Sequence, residues 1–290
     1  MAEVRPEDPG SGSAIAGPSV DRWLTAFRRA VEVQRRVFAE HPTIADRSRY
    51  EGVGEGGDRT LAIDRLCEDA VFAELEILRE ESHEFTAISE ERGSVAFGDG
   101  AAATRVLIDP IDGSLNARRT VPCYCLSAAV AEGDSMSDVR LGYVYDFGAG
   151  EEFIAVAGEG ATLDGTAIAV PGGDGLELVG LEASKPERVV AACQVLDGHA
   201  YRIRSPGAIA IGLCWVAAGR FDGLLTTRPC RSVDAAAGQL IAREAGAELD
   251  FGGEALEQAP LDLSARYHVA TARTGGDLSI LRRAQEAVGT

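Results

Sequence analysis

Apolar residues recur at helical intervals in the first part of the chain. Those between residues 21 and 40 include Trp23, Leu24, Phe27, Val31 and Phe38, with arginines between them. This spacing predicts a helix over residues 21–40, and Ser19 is a candidate N-cap. A second helix is predicted over residues 63–79, with Asp64 near its start.

Beyond the second helix the pattern changes to short apolar and β-branched runs bounded by turn residues, which predict strands. The predicted strands are 85–88, 104–108, 124–132, 141–146, 152–156 and 176–183. The second of them is expected to end at Asp109-Pro110, and a turn is predicted over residues 163–166. Helices are predicted at about 186–197, 207–219 and 232–246. This alternation favours helices packed on a sheet.

Glycine, proline and acidic residues divide the chain into segments. Residues 1–18 are rich in Gly, Pro, Ser and acid and are predicted to form a disordered tail. An N-terminal α+β domain is predicted over 19–170 and a C-terminal α/β domain over 171–290, linked through the sequence PGGDG. A glycine-rich loop at 51–58 is expected to be mobile.

Composition narrows the possible partners. The chain has 290 residues, 46% hydrophobic and 26% charged, which is ordinary for a globular protein. Its net charge of −18 argues against binding nucleic acid or an anionic membrane. We find neither an apolar run of about 18 residues nor a secretory signal, and we expect a cytoplasmic protein. Lys185 is the only lysine, a composition typical of a halophilic archaeon or of a high-GC genome.

Cysteine spacing indicates no metal site. The six cysteines are Cys67, Cys123, Cys125, Cys193, Cys214 and Cys230. They match no zinc-binding pattern, and most have apolar neighbours. We therefore expect reduced, buried thiols.

The segment VLIDPIDGSLN, residues 106–116, carries the clearest candidate chemistry. A buried strand would deliver Asp109 and Asp112 at its end, and the amides of Gly113 and Ser114 could face an anion. Carboxylates hold hard cations, and these hold phosphoryl oxygens. Taken alone, the segment is also compatible with a solvated turn.

Two other acidic positions have ordinary alternatives. Glu90 and Glu91 follow a short strand, where adjacent acids are usually at the surface. Asp234 lies in the first turn of a predicted helix, where an acid commonly acts as a cap.

Together, the stretches DPIDGSLN, SEE and VDAAAGQLIAREAG resemble the inositol monophosphatase superfamily, which includes archaeal-type fructose-1,6-bisphosphatases. The resemblance covers about residues 20–275. Three further stretches are similar to family elements: GDRTLAID, RSPGAIA and VAAGRFDG. Ala208 departs from the pattern, because a hydroxyl residue is usual at that position.

The resemblance implies a layered α-β-α-β-α sandwich of the sugar phosphatase type, with mixed α+β and α/β character. The first part would carry a largely antiparallel sheet with two long helices, and the second a smaller sheet. The site would lie where they meet. Members of the superfamily are commonly homodimers.

The resemblance also implies a magnesium site with two or three ions. The ligands would be Glu90, Asp109, the carbonyl of Ile111, Asp112 and Asp234. Ser114, Glu90 and Asp64 would orient the attacking water, and no covalent phosphoenzyme is expected. Without metal, repulsion among the carboxylates would leave the site loose.

The expected substrate is a small phosphorylated sugar or polyol. The substrate-binding residues implied are Asp112, Gly113, Ser114, Arg204, Ile209 and Arg228. Animal-type inositol monophosphatases carry a glutamate where this chain has Thr227, whereas an arginine such as Arg204, Arg228 or Arg231 would suit a second phosphate. Each arginine could also form only a surface ion pair.

This pattern favours fructose-1,6-bisphosphate, with inositol 1-phosphate as a further substrate. A 3′-phosphonucleotide phosphatase is the rival enzyme, although no aromatic or apolar shelf for a base is identified. A catalytically inactive regulator that binds a metabolite is the alternative of another class. The complete acidic ligand set favours an enzyme.

Overall fold

The computed structural model describes residues 17–53, 59–99, 102–182 and 185–289. Residues 1–16 of the tail predicted over 1–18, and residues 54–58 of the loop predicted over 51–58, lie outside the described residues. Among the described residues, no helix is both long enough and apolar enough to cross a bilayer.

Eight helices lie in the described residues. They are α1 Val20–Glu40, α2 Ile44–Arg47, α3 Ala62–Glu80, α4 Ser114–Arg119, α5 Pro186–Leu196, α6 Ile209–Ala217, α7 Ser232–Glu244 and α8 Gly275–Ala287. The predicted cap of α1 is confirmed, since the Ser19 side chain accepts a hydrogen bond from the amide of Arg22.

The first strands are β1 Tyr50–Val53, β2 Arg59–Leu61, β3 Phe85–Ser89, β4 Gly93–Phe97, β5 Thr104–Asp112, β6 Cys125–Glu132, β7 Val139–Asp146, β8 Glu151–Val156, β9 Gly160–Leu163 and β10 Thr166–Ile168. The later strands are β11 Leu176–Glu182, β12 Ala200–Arg204, β13 Gly223–Thr226, β14 Cys230–Arg231, β15 Glu248–Asp250, β16 Arg266–Tyr267 and β17 Ala270–Ala272. The predicted turn over 163–166 joins β9 to β10.

The larger sheet has eight strands in the order β10-β9-β8-β7-β6-β5-β3-β4. Every neighbouring pair is antiparallel except β3 and β5. Side chains alternate across it: Val106 and Ile108 of β5 join the core under α1 and α3, whereas Leu107 joins the core on the opposite face.

The smaller sheet has five strands in the order β12-β11-β13-β17-β15. Strand β11 is parallel to β12 and β13, and the other pairs are antiparallel. Helices α5 and α8 pack together on one face of this sheet. Helix α6 contacts its strands β11 and β13.

Helices α6 and α7 form the layer between the two sheets. They pack on each other, α7 crosses strands β5 to β9 of the larger sheet, and α6 contacts β11 and β13 of the smaller one. The layer order is therefore α1/α3, large sheet, α6/α7, small sheet, α5/α8. This confirms the predicted α-β-α-β-α sandwich, while the domain boundary at residue 170 stays a prediction.

The predicted end of the second strand at Asp109 is wrong. Strand β5 continues to Asp112, because pairing with β6 resumes after an irregularity: Asp109 lies opposite Ser127 and Asp112 opposite Cys125. Two residues of β5, Pro110 and Ile111, therefore lie opposite the single residue Leu126 of β6, which is a bulge. Among the elements that were not predicted are helices α2 and α8 and strands β1, β2, β4, β9, β10 and β12 to β17.

Gly142 allows α7 to lie directly on the larger sheet. A Cβ atom at this position would be 2.7 Å from the carbonyl oxygen of Ala237 in α7. Real Cβ atoms do not approach backbone this closely, so a larger residue would push the helix and the sheet apart.

We predict that Gly142→Ala lowers the free energy of unfolding by about 1–3 kcal/mol through overpacking. Gly172→Ala is the matched control, because its Cβ would meet nothing within 4 Å. Urea denaturation measures both variants. Equal stability of the two would contradict the close contact between α7 and β7.

Candidate metal centre

Three carboxylates from separate elements meet at one point. Glu90, Asp109 and Asp234 each place an oxygen so that all three atoms lie within 4.8 Å of one another. Glu90 follows β3, Asp109 belongs to β5, and Asp234 lies in the first turn of α7. Hard divalent cations are bound by oxygen ligands grouped in this way.

Parallel pairing brings Glu90 and Asp109 together. Strands β3 and β5 run side by side with Ser89 opposite Ile108, and the next residue along each strand is Glu90 and Asp109 respectively. Parallel neighbours place successive residues at the same edge of the sheet. The two carboxylates therefore leave the sheet from the same end.

Buried polar contacts fix the bulge of β5. The amide of Ile111 donates to Asp109 Oδ1 at 3.0 Å. Gln34 of α1, which is fully buried, donates from Nε2 to the carbonyl oxygen of Pro110 at 3.1 Å and to that of Cys67 at 3.2 Å. The sequence analysis missed Gln34, although a glutamine among the apolar positions of α1 was a usable signal.

Asp234 is both a helix cap and a member of the carboxylate group. Its Oδ2 accepts a hydrogen bond of 2.8 Å from the amide of Arg231. The side chain of Arg231 also contacts the group, since its guanidinium pairs with Glu90. Arg231 was one of three candidate arginines for a second phosphate, with an ion pair as the alternative, and its pair with Glu90 neutralises part of the carboxylate charge.

Asp112 lies outside the three-oxygen group. Its Oδ2 accepts a 2.6 Å hydrogen bond from the amide of Ala210, and the amide of Ile209 also bonds to it. The next residue, Gly113, has φ 85°, and a Cβ there would be 2.9 Å from the carbonyl oxygen of Cys123. Only glycine fits, so residues 206–210 can approach the turn closely.

Ser114 and Asn116 occupy the start of α4. Ser114 is exposed and is the first residue of this six-residue helix. Asn116 donates from Nδ2 to the carbonyl oxygens of Cys123 at 2.8 Å and Pro206 at 2.7 Å. It therefore ties the turn after β5 to the loop before α6.

Asp64 is held apart from the three-oxygen group at the start of α3. Its Oδ2 accepts a 3.3 Å hydrogen bond from the amide of Leu61, and its buried Oδ1 has no partner among the described residues. Burial raises the pKa of Asp64 to about 7, and the nearby charge of Glu91 acts in the same direction. Such a carboxyl could accept a proton near neutral pH.

Burial also raises the pKa values of the grouped carboxylates. Burial and then the charge of Asp234 raise the pKa of Glu90 to about 7, against the effect of Arg231. The pKa values of Asp109, Asp112 and Asp234 are likewise raised, with burial the largest cause for each. Acids so placed are stable as anions only beside positive charge, which fits a divalent cation.

Two predicted substrate residues, Arg204 and Arg228, are exposed to solvent. Arg204 is exposed and donates to the carbonyl oxygen of its neighbour Ile203 at 2.9 Å. Arg228 is exposed, and no described residue forms a hydrogen bond or an ion pair with its guanidinium. Arg188, which the sequence analysis did not single out, donates to the carbonyl oxygen of Thr227 at 2.8 Å, directly beside Arg228.

Thr227 is part of the protein interior. It is fully buried, and both its amide and its hydroxyl donate to the carbonyl oxygen of Glu182, at 2.9 and 3.1 Å. The position where animal-type relatives are expected to carry a glutamate is therefore a structural contact here.

All six cysteines are free thiols, five buried and Cys193 partly buried. Cys125 lies 3.8 Å from Asp112 Oδ2 as a weak donor. The cysteines form no disulfide, and Cys125 packs against Asp112.

Known proteins with similar sequences carry two kinds of name, one of a phosphatase and one of a Nus factor. A protein of Archaeoglobus fulgidus named fructose-1,6-bisphosphatase/inositol-1-monophosphatase is 34% identical over 242 residues, which are 82% of this chain and 88% of that protein. A protein of Haemophilus influenzae named Nus factor SuhB is 28% identical over 236 residues, 79% of this chain and 83% of that protein.

A solved structure shares the fold. It is described as an inositol monophosphatase–fructose 1,6-bisphosphatase, with a TM-score of 0.78 and 25% identity over 90% of this chain and 99% of the other. The sequence model of the inositol monophosphatase family matches residues 23–288. This chain therefore belongs to the inositol monophosphatase family and is a phosphatase.

Proposed function

We propose that this protein hydrolyses a small phosphate monoester with Mg²⁺ at the group formed by Glu90, Asp109 and Asp234. The observation that carries the proposal is the convergence of these three carboxylates, one buried and two half-buried, within 4.8 Å. Asp112 and the carbonyl of Ile111 would complete the ligand set. Carboxylate and carbonyl oxygens are the ligands that magnesium prefers.

When bound, a divalent cation would supply positive charge that makes water more acidic and neutralises phosphoryl oxygens. The chain's own groups would do the rest. Asp64, with its unpartnered Oδ1 and its pKa of about 7, would take a proton from the attacking water. Exposed Ser114 would orient that water, and the amides of Gly113 and Ser114 would bind the phosphate.

The substrate proposed is fructose-1,6-bisphosphate, with inositol 1-phosphate also accepted. Names of relatives such as the Archaeoglobus protein support this pair. The exposed guanidinium of Arg228 also supports it, because an arginine without a partner among the described residues is available for a second phosphate. Arg188 would stabilise the loop that carries Arg228, because its guanidinium donates a hydrogen bond to the carbonyl oxygen of Thr227.

Three further expectations belong to the proposal. Two or three ions would occupy the site, since a second cation can stabilise the leaving oxygen. The protein would work in the cytoplasm as a homodimer. Its acidic, lysine-poor composition would reflect a halophilic archaeon.

Phosphate release tests the proposal directly. We expect the protein with Mg²⁺ to release phosphate from fructose-1,6-bisphosphate or inositol 1-phosphate, and EDTA to abolish release. Asp234→Asn should lower kcat/KM by more than about 100-fold, since even residues behind a metal ligand cost 10–100-fold. The exposed Asp174→Asn is the control for the charge change.

Two outcomes would contradict the proposal. Preference for a 3′-phosphonucleotide in the same panel would identify the rival enzyme. No phosphate release from any substrate, with tight binding of one of them, would indicate a regulator that binds a metabolite.

The metal-free protein should lose stability as the pH rises through 7. The folded-state pKa values of Asp64 and Glu90, about 7, lie above the ordinary values of 3.8 and 4.5. Folding therefore favours their protonated forms, and the stability they contribute is complete below about pH 4 and lost through pH 7. Thermal unfolding in EDTA should show a lower Tm at pH 8 than at pH 6.

Saturating Mg²⁺ should reduce this decline, because a bound cation favours the ionised carboxylates. Asp64→Asn should reduce it in EDTA. A metal-free Tm that rises from pH 6 to pH 8 would show that these acids are ionised without a cation.

Arg228→Ala should discriminate between substrates. Loss of a charge-assisted contact of about 2 kcal/mol corresponds to a rise of about ten-fold or more in KM for the bisphosphate. KM for inositol 1-phosphate should change by less than about two-fold, the limit expected for a rim charge without a partner. Arg36→Ala, an exposed arginine of α1, is the control. Equal effects on both substrates would reject a role for Arg228 in binding the second phosphate.

A further inference from the structure

Glu68 is a buried acid behind the candidate metal centre. It follows Asp64 by one turn of α3, and only 1% of its surface is exposed. Burying a carboxylate is costly unless it is bonded and neutralised. The hydrogen bonds of Glu68 therefore indicate which part of the structure its carboxylate stabilises.

The carboxylate of Glu68 binds both ends of the segment that carries Glu90. The hydroxyl of Ser89 donates to Oε1 at 2.5 Å, and the amide of Arg92 donates to the same oxygen at 3.2 Å. The Nε of Arg92 donates to Oε2 at 3.2 Å. Only Glu90 and Glu91 lie between the two bonded residues.

This segment is the loop of a β-hairpin. Strands β3 and β4 are antiparallel, with Ser89 opposite Gly93 at the closed end. Glu68 therefore closes the loop from the side of α3. Its bond to the guanidinium is charge-assisted, which makes it stronger than a bond between neutral groups.

Arg92 is itself held on α3 at two further points. Its guanidinium lies 4.2 Å from the centre of the Phe72 ring and pairs with Asp69. Asp69 differs from Glu68 in being exposed and in touching only the guanidinium, not the backbone of the loop. The two neighbouring acids thus provide a matched comparison.

Glu90 needs such a support because its neighbours repel it. Asp109 and Asp234 are acids at the same point, and a loop of this length can turn its side chain outward into water. The hairpin's own ladder ends at Ser89 and holds nothing beyond it. The ion pair with Arg231 holds the Glu90 carboxylate itself, and the bonds of Glu68 on both sides of Glu90 hold the backbone from which that carboxylate extends.

We propose that Glu68 is a positioning residue that fixes Glu90 for metal binding. Glu68 itself does not touch the metal or the substrate. The inference rests on the proposed metal centre, and it assigns the affinity of that centre in part to a residue on α3.

Calorimetric titration of the full-length protein with Mg²⁺, without substrate, tests this role. Glu68→Ala should raise the Kd for Mg²⁺ by about ten-fold or more, as removal of supporting residues does at other metal sites. Asp69→Ala should leave it within about two-fold, because an exposed ion pair contributes little. High Mg²⁺ should restore most of the kcat of Glu68→Ala, which a general structural defect would not allow.

Ser89→Ala covers the case in which Glu68→Ala does not fold. It removes one hydrogen bond to Glu68 and should raise the Kd by about five-fold. Folded variants that bind Mg²⁺ as tightly as the wild type would overturn the role of Glu68 alone. Failure of the wild type to bind Mg²⁺ would overturn the proposed function and this inference together.

Discussion

Repulsion among buried carboxylates is the constraint on which this structure depends. Asp109 and Asp112 are buried, Asp234 and Glu90 are half-buried beside them, and like charges out of water oppose folding. The chain offsets part of this cost with one backbone amide each on Asp109 and Asp234, two on Asp112, and the guanidinium of Arg231 on Glu90. These few hydrogen bonds and the single ion pair do not neutralise four acids. The remaining negative charge is what a divalent cation would balance.

The five-layer architecture follows from the need to bring these acids together from distant parts of the chain. Two of them come from one edge of the larger sheet, and Asp234 comes from the helix layer between the sheets. That layer is covered on both sides, so α7 is rich in small buried residues such as Ala235 and Ala237. The contact between Ala237 and Gly142 sets the distance between α7 and the sheet, and hence the position of Asp234 at the start of α7.

Sequence patterns predicted the elements that have strong periodicity, and three of the four acids that the motifs singled out meet at one point. The helix starting near Asp21 and the strand containing Val106 are examples. The bulge after Asp109 was not predictable, because it depends on pairing with β6 rather than on local residues. The supports were missed for the same reason: Gln34 and Glu68 are ordinary polar residues on amphipathic helices until the fold shows what they bind.

The arginines show a different limit. Arg204, Arg228 and Arg231 looked alike in sequence, yet Arg231 pairs with Glu90 whereas Arg204 bonds only to its own neighbour's carbonyl. Side chains on loops take their roles from what lies opposite, and a motif does not specify that. The reaction is thus tied to buried acids, and the choice of substrate to exposed residues around them.

The central claim is that Glu90, Asp109 and Asp234 form a metal centre. The most direct measurement is the anomalous scattering of crystals grown with Mn²⁺, which takes the same oxygen ligands as Mg²⁺. The account predicts a peak between the three carboxylates, with an oxygen of each at about 2.1 Å. Crystals whose Mn²⁺ lies elsewhere, with Arg231 still paired to Glu90, would contradict it.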